Sequence, residues 1–211
     1  MEIRKTDIRE LKIMEKKGFE DLIPYIHKNP LVRWVFWKRL QILLSMLPRG
    51  ERVLDFGAGS GVLEPSLLEG FEKVYALDLN TDSLRHIKEK ENIKNLDIFS
   101  GNYKKLPFQD NFFDAIIAAD VLEHISNRLG VLREFKRVLK SRGVLLISGP
   151  TENKIYKISR RLIFWFWKKK EDHFTNINEI IKEAISLFKK DRVISIPSKF
   201  ICGFKICKFI K

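Results

Sequence analysis

The stretch Val53-Leu-Asp-Phe-Gly-Ala-Gly-Ser-Gly61 places three glycines within five residues, directly after a short apolar run. Glycines at the turn from a strand to a helix let the backbone bend sharply and approach a ligand closely. A second apolar run ends at Asp78, whose carboxylate can accept hydrogen bonds from ribose hydroxyls. A dinucleotide-binding turn has a further glycine where this chain has Val62, so the sequence argues against a nicotinamide-dependent oxidoreductase.

The hundred residues around this turn alternate short apolar runs with polar segments of helical length. Such alternation is typical of a parallel sheet whose connecting helices cover both faces. We therefore predict the α/β class, with a doubly wound, mostly parallel, Rossmann-like sheet. The predicted strands cover residues 52–56, 73–77, 96–100, 115–119 and 144–148.

The segments on either side of this core have their own predicted elements. A helix is predicted at residues 31–47, and its spacing assigns a polar side to Arg33, Lys38, Gln41 and Ser45. The same spacing assigns an apolar side to Val32, Val35, Phe36, Leu43, Met46 and Leu47. Near the other end, Asn176 and Glu179 form a capping box that predicts a helix to about residue 190. Two β-like runs at 192–197 and 204–210 then predict an antiparallel hairpin.

The basic residues are concentrated outside the core. The formal net charge of +13 divides into +5 for residues 1–50, −1 for 51–150 and +9 for 151–211. The two flanks also contain the four tryptophans, Trp34, Trp37, Trp165 and Trp167, the last two within a basic-aromatic run at 160–170. Three interpretations stay open: an amphipathic surface on anionic lipid, a stacking platform for single-stranded RNA, or ordinary core surrounded by solvated lysines.

The cellular compartment is indicated by the cysteines and the N-terminal residues. Cys202 and Cys207 are too few and too close together for the disulfide framework of a secreted protein. Residues 1–20 are charged throughout and lack the apolar segment of a signal peptide, and no apolar run reaches the length of a bilayer span. We therefore expect a soluble, cytoplasmic protein, peripheral to the membrane if the flanks bind lipid.

Four segments after the glycine turn carry further motifs. They are Ala76-Leu-Asp-Leu79, Gly101-Asn-Tyr-Lys-Lys-Leu-Pro-Phe108, Phe113-Asp-Ala-Ile-Ile-Ala-Ala-Asp-Val-Leu-Glu-His-Ile125 and Leu132-Arg-Glu-Phe-Lys-Arg-Val-Leu-Lys140. With the turn, and in this order, they resemble the class I S-adenosylmethionine-dependent methyltransferases, in particular the subgroup called methyltransferase type 11. The resemblance covers residues 51–150 well and the flanks poorly.

The resemblance implies S-adenosylmethionine as the cofactor, S-adenosylhomocysteine as the product, and a set of binding residues. Asp55 and the turn residues Gly57, Ala58, Gly59 and Gly61 would hold the methionine end, and Asp78 would bind the ribose. The implied site is completed by Leu79, Asn102, Tyr103 and Asp120. Asn102 stands where the family usually has an acid near the adenine amino group, and its side-chain carbonyl can still accept that hydrogen bond.

Methyl transfer from a sulfonium is an in-line displacement that depends mainly on positioning and on the exclusion of water. If the acceptor is a hydroxyl, a general base helps, and His173 is the candidate, with an ordinary histidine near a helix start as the alternative. Adjacent Glu123 and His124 point in different directions on a helix, so no metal site is predicted. Cys202 and Cys207 lie far in sequence from the ligand-binding strand ends, which argues against a cysteine nucleophile.

The acceptor is less well indicated than the cofactor. The family of amide and exocyclic-amine methyltransferases carries Asn-Pro-Pro-Tyr after the fourth strand, where this chain has Ala119-Asp-Val-Leu122. We predict methyl transfer to a small or amphiphilic acceptor, such as a lipid, quinone or glycan precursor. An RNA methyltransferase and a non-catalytic, cofactor-binding activator subunit are the alternatives. The predicted single domain, 1–211, has a helical cap at 1–50, a cofactor-binding core at 51–150, and acceptor-side helices with the hairpin at 151–211.

Overall fold

Seven strands form one mixed sheet in the part of the protein that the structure describes. This computed structural model describes residues 22–101, 105–153, 156, 174–198 and 202–211. The strands are β1 (Gly50–Phe56), β2 (Phe71–Asp78), β3 (Leu96–Ser100), β4 (Phe113–Ala119), β5 (Leu139–Pro150), β6 (Lys189–Pro197) and β7 (Cys202–Ile210). Their order across the sheet is β3-β2-β1-β4-β5-β7-β6.

The strand directions confirm the predicted architecture. Strands β1 to β5 are parallel to one another, whereas β7 is antiparallel to both β5 and β6. The chain passes from β1 outward to β2 and β3, and then returns to build β4 on the other side of β1. This reversal makes the carboxyl ends of β1 and β4 the switch point at which open α/β sheets bind their ligands.

Six α-helices and one 3-10 turn lie within the described ranges. The helices are α1 (Ile23–Ile26), α2 (Pro30–Ser45), α3 (Glu64–Leu67), α4 (Asp82–Lys90), α5 (Arg128–Val138) and α6 (Ile177–Ile185), and the turn is Leu122–His124. Asn29 caps α2, because its side chain accepts a hydrogen bond of 2.9 Å from the Leu31 N–H. Asn176 caps α6 in the same way, which confirms the predicted start of that helix. None of these described helices is long and apolar enough to cross a membrane.

The predicted end of the last helix is wrong. The sequence pattern extends this helix to about residue 190, but α6 ends at Ile185. The next strand begins at Lys189, which pairs with Ile210 of β7, so the backbone of residues 189–190 belongs to the sheet. Pairing across the sheet is a long-range interaction that overrides the local helical pattern.

Apolar side chains fill both faces of the sheet. On one face, Leu43 of α2 and Leu84 of α4 pack in a cluster with Val53 of β1. On the other face, Phe135 of α5 packs in a second cluster with Leu54 of β1. Successive residues of a strand point to opposite faces, which is why Val53 and Leu54 pack against different helical layers. The two helical layers are those of a doubly wound sheet.

Some predicted features lie outside the described residues. These are residues 1–21 of the helical cap and the basic-aromatic run at 160–170, which includes Trp165 and Trp167. The described part of the cap is α1 and α2. Helix α2 buries Val32 and Leu43, and Met46 at its C-cap is also buried, as predicted. The helix further buries Arg39, which the sequence pattern did not indicate.

Candidate functional site

The glycine turn follows β1 directly and uses backbone angles that favour glycine. Gly57, Gly59 and Gly61 have φ values of +78°, +54° and +78°. A Cβ atom on Gly57 would lie 2.5 Å from Cγ2 of Val121, the second residue after β4. The Gly57 and Ala58 N–H groups both donate to the Leu77 carbonyl, at 2.8 and 3.2 Å. The turn is therefore fixed between the ends of β2 and β4 at the switch point.

Asp78 closes β2 beside the turn. One of its carboxylate oxygens accepts a hydrogen bond of 2.8 Å from the Gly59 N–H, and the other accepts one of 3.1 Å from the Asn80 N–H. These bonds hold a half-buried carboxylate at the edge of the sheet, next to the exposed side chain of Leu79. A carboxylate can accept about four hydrogen bonds, so Asp78 keeps capacity for ribose hydroxyls.

Asp55 and Glu64 form a buried acidic pair behind the turn. Asp55 is 1% exposed and Glu64 is fully buried. Burial and the charge of Asp78 raise the pKa of Asp55 to about 7, and a hydrogen bond from Glu64 counteracts them in part. Burial and the Asp55 charge raise the pKa of Glu64 well above its ordinary value. The pair therefore holds a proton under conditions in which exposed carboxyl groups have lost theirs.

Asp120 stands at the end of β4 with a left-handed φ of 54°. Its N–H donates to the Ser148 carbonyl at 3.0 Å, and its carboxylate accepts a long hydrogen bond of 3.4 Å from the Ser148 hydroxyl. The other carboxylate oxygen forms an ion pair with Arg39 of α2. The Asp120 side chain remains 28% exposed, so it is accessible at this edge while its position is fixed.

Arg39 lies in an aromatic cluster, which we define as Tyr25, Phe36, Trp37, Tyr156 and Phe204. Its guanidinium carbon lies 4.9 Å from the Phe36 ring centroid and 4.7 Å from that of Phe204. Phe204 pairs with Pro150, the last residue of β5, so the cluster lies at the carboxyl end of β5, close to Asp120. Sequence reasoning missed this site, because Arg39 directly follows Lys38 in α2 and no local pattern distinguishes the buried arginine from its exposed neighbour.

The structure brings some of the predicted site residues together, and others lie outside its described ranges. Asp55, Gly57, Ala58, Gly59, Gly61, Asp78, Leu79 and Asp120 all lie at the carboxyl ends of β1, β2 and β4. Asn102, Tyr103 and the candidate base His173 are outside the described residues, and their roles stay predictions. His124 is exposed, and in the described ranges no three histidine, cysteine or acidic side chains are grouped as metal ligands.

Neither cysteine lies at the switch point. Cys207 is buried on β7, where it pairs with Ile147, and burial raises the pKa of its thiol to about 12. A thiol that stays protonated at neutral pH is a poor nucleophile. Cys202 is half-buried at the start of the same strand.

The residues at the switch point fit the cofactor that the resemblance implies. Oδ1 of Asp55 and both carboxylate oxygens of Glu64 are buried, and no donor to them is found in the described residues. A cationic amino group would supply such donors, and the glycine turn leaves room for the backbone to approach it. Asp78 supplies an acceptor for ribose. The edge therefore suits a ligand with an ammonium group at one end and a nucleoside at the other.

Comparison with known proteins finds a family model that matches part of this core. Residues 54–147 match the family described as "Methyltransferase domain". The ubiquinone/menaquinone biosynthesis C-methyltransferase UbiE of Yersinia pestis bv. Antiqua (strain Antiqua) is 36% identical over 118 residues, which are 53% of this chain and 47% of that protein. The chain spans about half the length of the curated relatives it matches.

Solved structures share the fold at lower identity. A SAM dependent methyltransferase from Aquifex aeolicus superimposes with a TM-score of 0.63 at 21% identity, over 98% of this chain and 99% of the other. The N-methyltransferase NodS from Bradyrhizobium japonicum WM9, crystallised with S-adenosyl-L-homocysteine, superimposes with a TM-score of 0.68 at 14% identity, over 97% of each chain. At these identities the likeness establishes the fold.

Proposed function

Because residues 54–147 form a class I S-adenosylmethionine-dependent methyltransferase domain, we propose that this protein transfers the cofactor's methyl group to an oxygen-bearing aromatic acceptor of quinone type. The family match and the fold confirm the prediction made from the glycine turn. A quinone-type acceptor belongs to the predicted class of small or amphiphilic molecules. The name of the UbiE relative supports this choice within that class.

The cofactor side of the site is built for binding and orientation. The glycine turn would receive the methionine end, with Asp55 behind it, and Asp78 would accept bonds from the ribose hydroxyls. S-adenosylmethionine itself supplies the electrophilic methyl group. The protein residues fix the sulfonium relative to the acceptor, which is where an in-line displacement gains most of its rate.

The acceptor side is supported by the aromatic cluster next to Asp120. Phe36 and Tyr156 are half-buried and can contact a planar ring, while Phe204 closes the cluster from β7. The partly exposed Asp120 carboxylate can accept a hydrogen bond from a ring hydroxyl, which increases the electron density at the neighbouring ring carbons. This combination of aromatic surface and an oriented carboxylate is the observation that carries the proposal.

Arg39 acts here through Asp120. Its ion pair holds the carboxylate at the edge, and its own side chain is only 5% exposed. The resemblance implies a cofactor contact for Asp120, whereas this proposal assigns it mainly to the acceptor. The two roles differ in the ligand whose binding depends on Asp120.

The test is incubation with methyl-labelled S-adenosylmethionine and defined hydroquinones or substituted phenols, with product identification by mass spectrometry. A parallel incubation uses a cell extract separated into lipid, RNA, protein and small-molecule fractions. We expect label on a ring compound of the lipid or small-molecule fraction. Label in RNA would overturn the proposal in favour of the RNA alternative. Clear cofactor binding with no label in any fraction would favour the non-catalytic activator.

One variant and a matched control separate a role of Asp120 in acceptor turnover from a role in cofactor binding. Asp120→Asn should reduce turnover of the phenolic acceptor by about 100-fold or more, the typical size of a proton-transfer contribution. Its dissociation constant for S-adenosylhomocysteine should stay within about threefold of the unmodified protein. Glu72→Gln, an exposed change on β2, is the matched control and should alter neither value. A large loss of cofactor affinity in Asp120→Asn, with unchanged acceptor kinetics, would return Asp120 to the cofactor site.

A further inference from the structure

Glu64 is an acid in an unusual place. It is the first residue of α3 and lies three residues after Gly61, the last glycine of the turn, yet it is fully buried. Acids in the first turn of a helix are ordinarily exposed and favour the positive end of the helix dipole. A carboxylate taken out of water without partners costs several kcal/mol, so a buried one requires a specific counterpart.

The surroundings of Glu64 are acidic or apolar. Besides Glu64, the charge that acts on Asp55 is that of Asp78 on the neighbouring strand, and both acids also act on Glu64. From α4, the side chains that approach the turn at Gly61 are those of Leu84 and Ile87, which carry no charge. No cation acts on Asp55 or Glu64 in the described residues, so these two groups cannot both be ionised without strong repulsion.

A single proton shared between Glu64 and Asp55 removes the repulsion between the two carboxylates. With both groups ionised, Oδ1 of Asp55 and both Glu64 oxygens have no donor in the described residues. If Glu64 is the neutral acid, its O–H donates to Asp55, and this bond favours the ionised form of Asp55. Asp55 is then a buried carboxylate with a supporting donor on one side and unused acceptor capacity on the other.

The position of the pair relative to the turn provides the second observation. A Cβ atom at Gly61 would lie 3.6 Å from Oε2 of Glu64, so this carboxyl group lies close to the last glycine of the turn. Gly61 has a φ of +78°, which keeps the residue free of a side chain. The buried acidic oxygens therefore lie beside the backbone of the turn, and the group that would complement them on a ligand bound there is an ammonium.

We propose that Glu64 is a positioning residue for the cofactor: as a neutral acid it donates to Asp55 and holds that carboxylate toward the methionine ammonium, so that cofactor capture is coupled to proton release. The inference rests on the proposed function, because it takes S-adenosylmethionine as the ligand. In the free protein the pair carries an extra proton over part of the neutral range. The bound ammonium replaces that proton as the positive charge, and the proton leaves to solvent.

The first experiment measures ligand binding by calorimetry from pH 5.5 to 7.5, in buffers of different ionisation enthalpy. S-adenosylhomocysteine carries the ammonium, and 5′-methylthioadenosine, which lacks the amino-acid portion, is the matched control ligand. We expect the affinity for S-adenosylhomocysteine to fall toward about tenfold per pH unit on the acid side of the transition. Proton release should accompany its binding, and the affinity for 5′-methylthioadenosine should stay constant.

Two variants of Glu64 separate positioning from packing. Glu64→Gln keeps a donor to Asp55, so it should retain the affinity for S-adenosylhomocysteine within about threefold, with the same pH profile. Glu64→Met fills similar volume without a donor, so it should bind about tenfold more weakly at pH 7, with the transition moved to higher pH. If Glu64→Met fails to fold, the proton count of the unmodified protein and of Glu64→Gln decides the question.

The outcomes that oppose the inference are distinct from those that oppose the proposed function. Binding of S-adenosylhomocysteine without pH dependence or proton release overturns the inference, as does a folded Glu64→Met protein with unchanged affinity and profile. Absence of S-adenosylhomocysteine binding at every pH overturns the proposed function itself.

Discussion

At the scale of single residues, Gly57 has the strictest requirement in the site. Its φ is +78°, and a Cβ atom there would come within 2.5 Å of Val121, so both the backbone and the neighbouring side chain oppose any larger residue. We expect Gly57→Ala to lower the free energy of unfolding by about 2 kcal/mol and to weaken S-adenosylhomocysteine binding by about tenfold or more, because the turn must shift. Urea denaturation and calorimetry measure the two effects.

The matched control for Gly57 is Gly203 on β7. A Cβ atom there would lie 3.7 Å from its nearest neighbours, the Ile196 carbonyl oxygen and the Tyr156 ring, which is ordinary contact. Gly203→Ala should therefore change the free energy of unfolding by no more than about 0.5 kcal/mol. Equal effects of the two substitutions would contradict the special role of the turn.

Arg39 and Asp120 allow a double-mutant cycle. Arg39→Met removes one partner of a largely buried ion pair and should lower the free energy of unfolding by about 3 kcal/mol. The double variant Arg39→Met with Asp120→Asn leaves no unpaired charge, so it should be more stable than Arg39→Met alone. Additive losses in denaturation experiments would show that the two side chains act independently.

At the scale of elements, α2 presents an apolar strip to solvent. Leu31 and Trp34 are 64% and 50% exposed, and Lys38 follows them on the same side of the helix. This pattern favours the interpretation of the flanks as a surface that lies on anionic lipid. We expect the double change Leu31→Ser with Trp34→Ser to weaken binding to anionic vesicles by about tenfold or more, since each side chain contributes on the order of 1.5 kcal/mol when buried.

Co-sedimentation with vesicles tests this surface. Vesicles of neutral lipid should bind weakly in all cases, because the basic flanks add attraction only to anionic lipid. Leu129→Ser on α5, which also alters an exposed leucine, is the control and should bind like the unmodified protein. Unchanged vesicle binding by the α2 variant would remove α2 from the membrane-contact hypothesis.

The elements that could be predicted from the sequence are those with local signals. The strand at 96–100 agrees with β3 residue for residue, and the Asn176 cap is found where the capping box indicated. The end of α6 could not be predicted, because it depends on the pairing of Lys189 with Ile210 from the other end of the hairpin. Local helix propensity is overridden wherever the same backbone groups pair with a neighbouring strand.

At the scale of the whole molecule, the residues of the candidate site also separate into those that the sequence predicts and those that it does not. The glycine turn and Asp78 could be predicted, because a short motif carries their chemistry. Arg39 and Glu64 could not, because their significance lies in burial, and burial is set by the packing of distant elements. The sheet order brings Arg39 of α2 next to Asp120, which follows β4, and next to Phe204 of β7, although these residues are far apart in the sequence.

The acidic pair behind the turn should make the stability of the cofactor-free protein depend on pH. The folded state raises the pKa of Asp55 from 3.8 to about 7, so it binds the proton more tightly than the unfolded chain does. The stabilisation from this proton is fully present below about pH 4 and is lost as the pH rises toward about 7. Over that range the free energy of unfolding should fall by on the order of 3 kcal/mol.

Asp55→Asn reports on the acidic pair, since asparagine does not titrate and also removes the Asp55 charge that acts on Glu64. Other groups, such as Glu134, whose pKa the Arg137 hydrogen bond holds below its ordinary value, titrate in both proteins and cancel in the difference. Urea denaturation of both proteins from pH 4.5 to 8 should give curves that diverge with rising pH, with Asp55→Asn the more stable. Parallel curves would mean that Asp55 ionises in the folded protein as easily as in the unfolded chain. They would contradict the view that burial raises the pKa of the carboxyl group expected to bind the cofactor's ammonium.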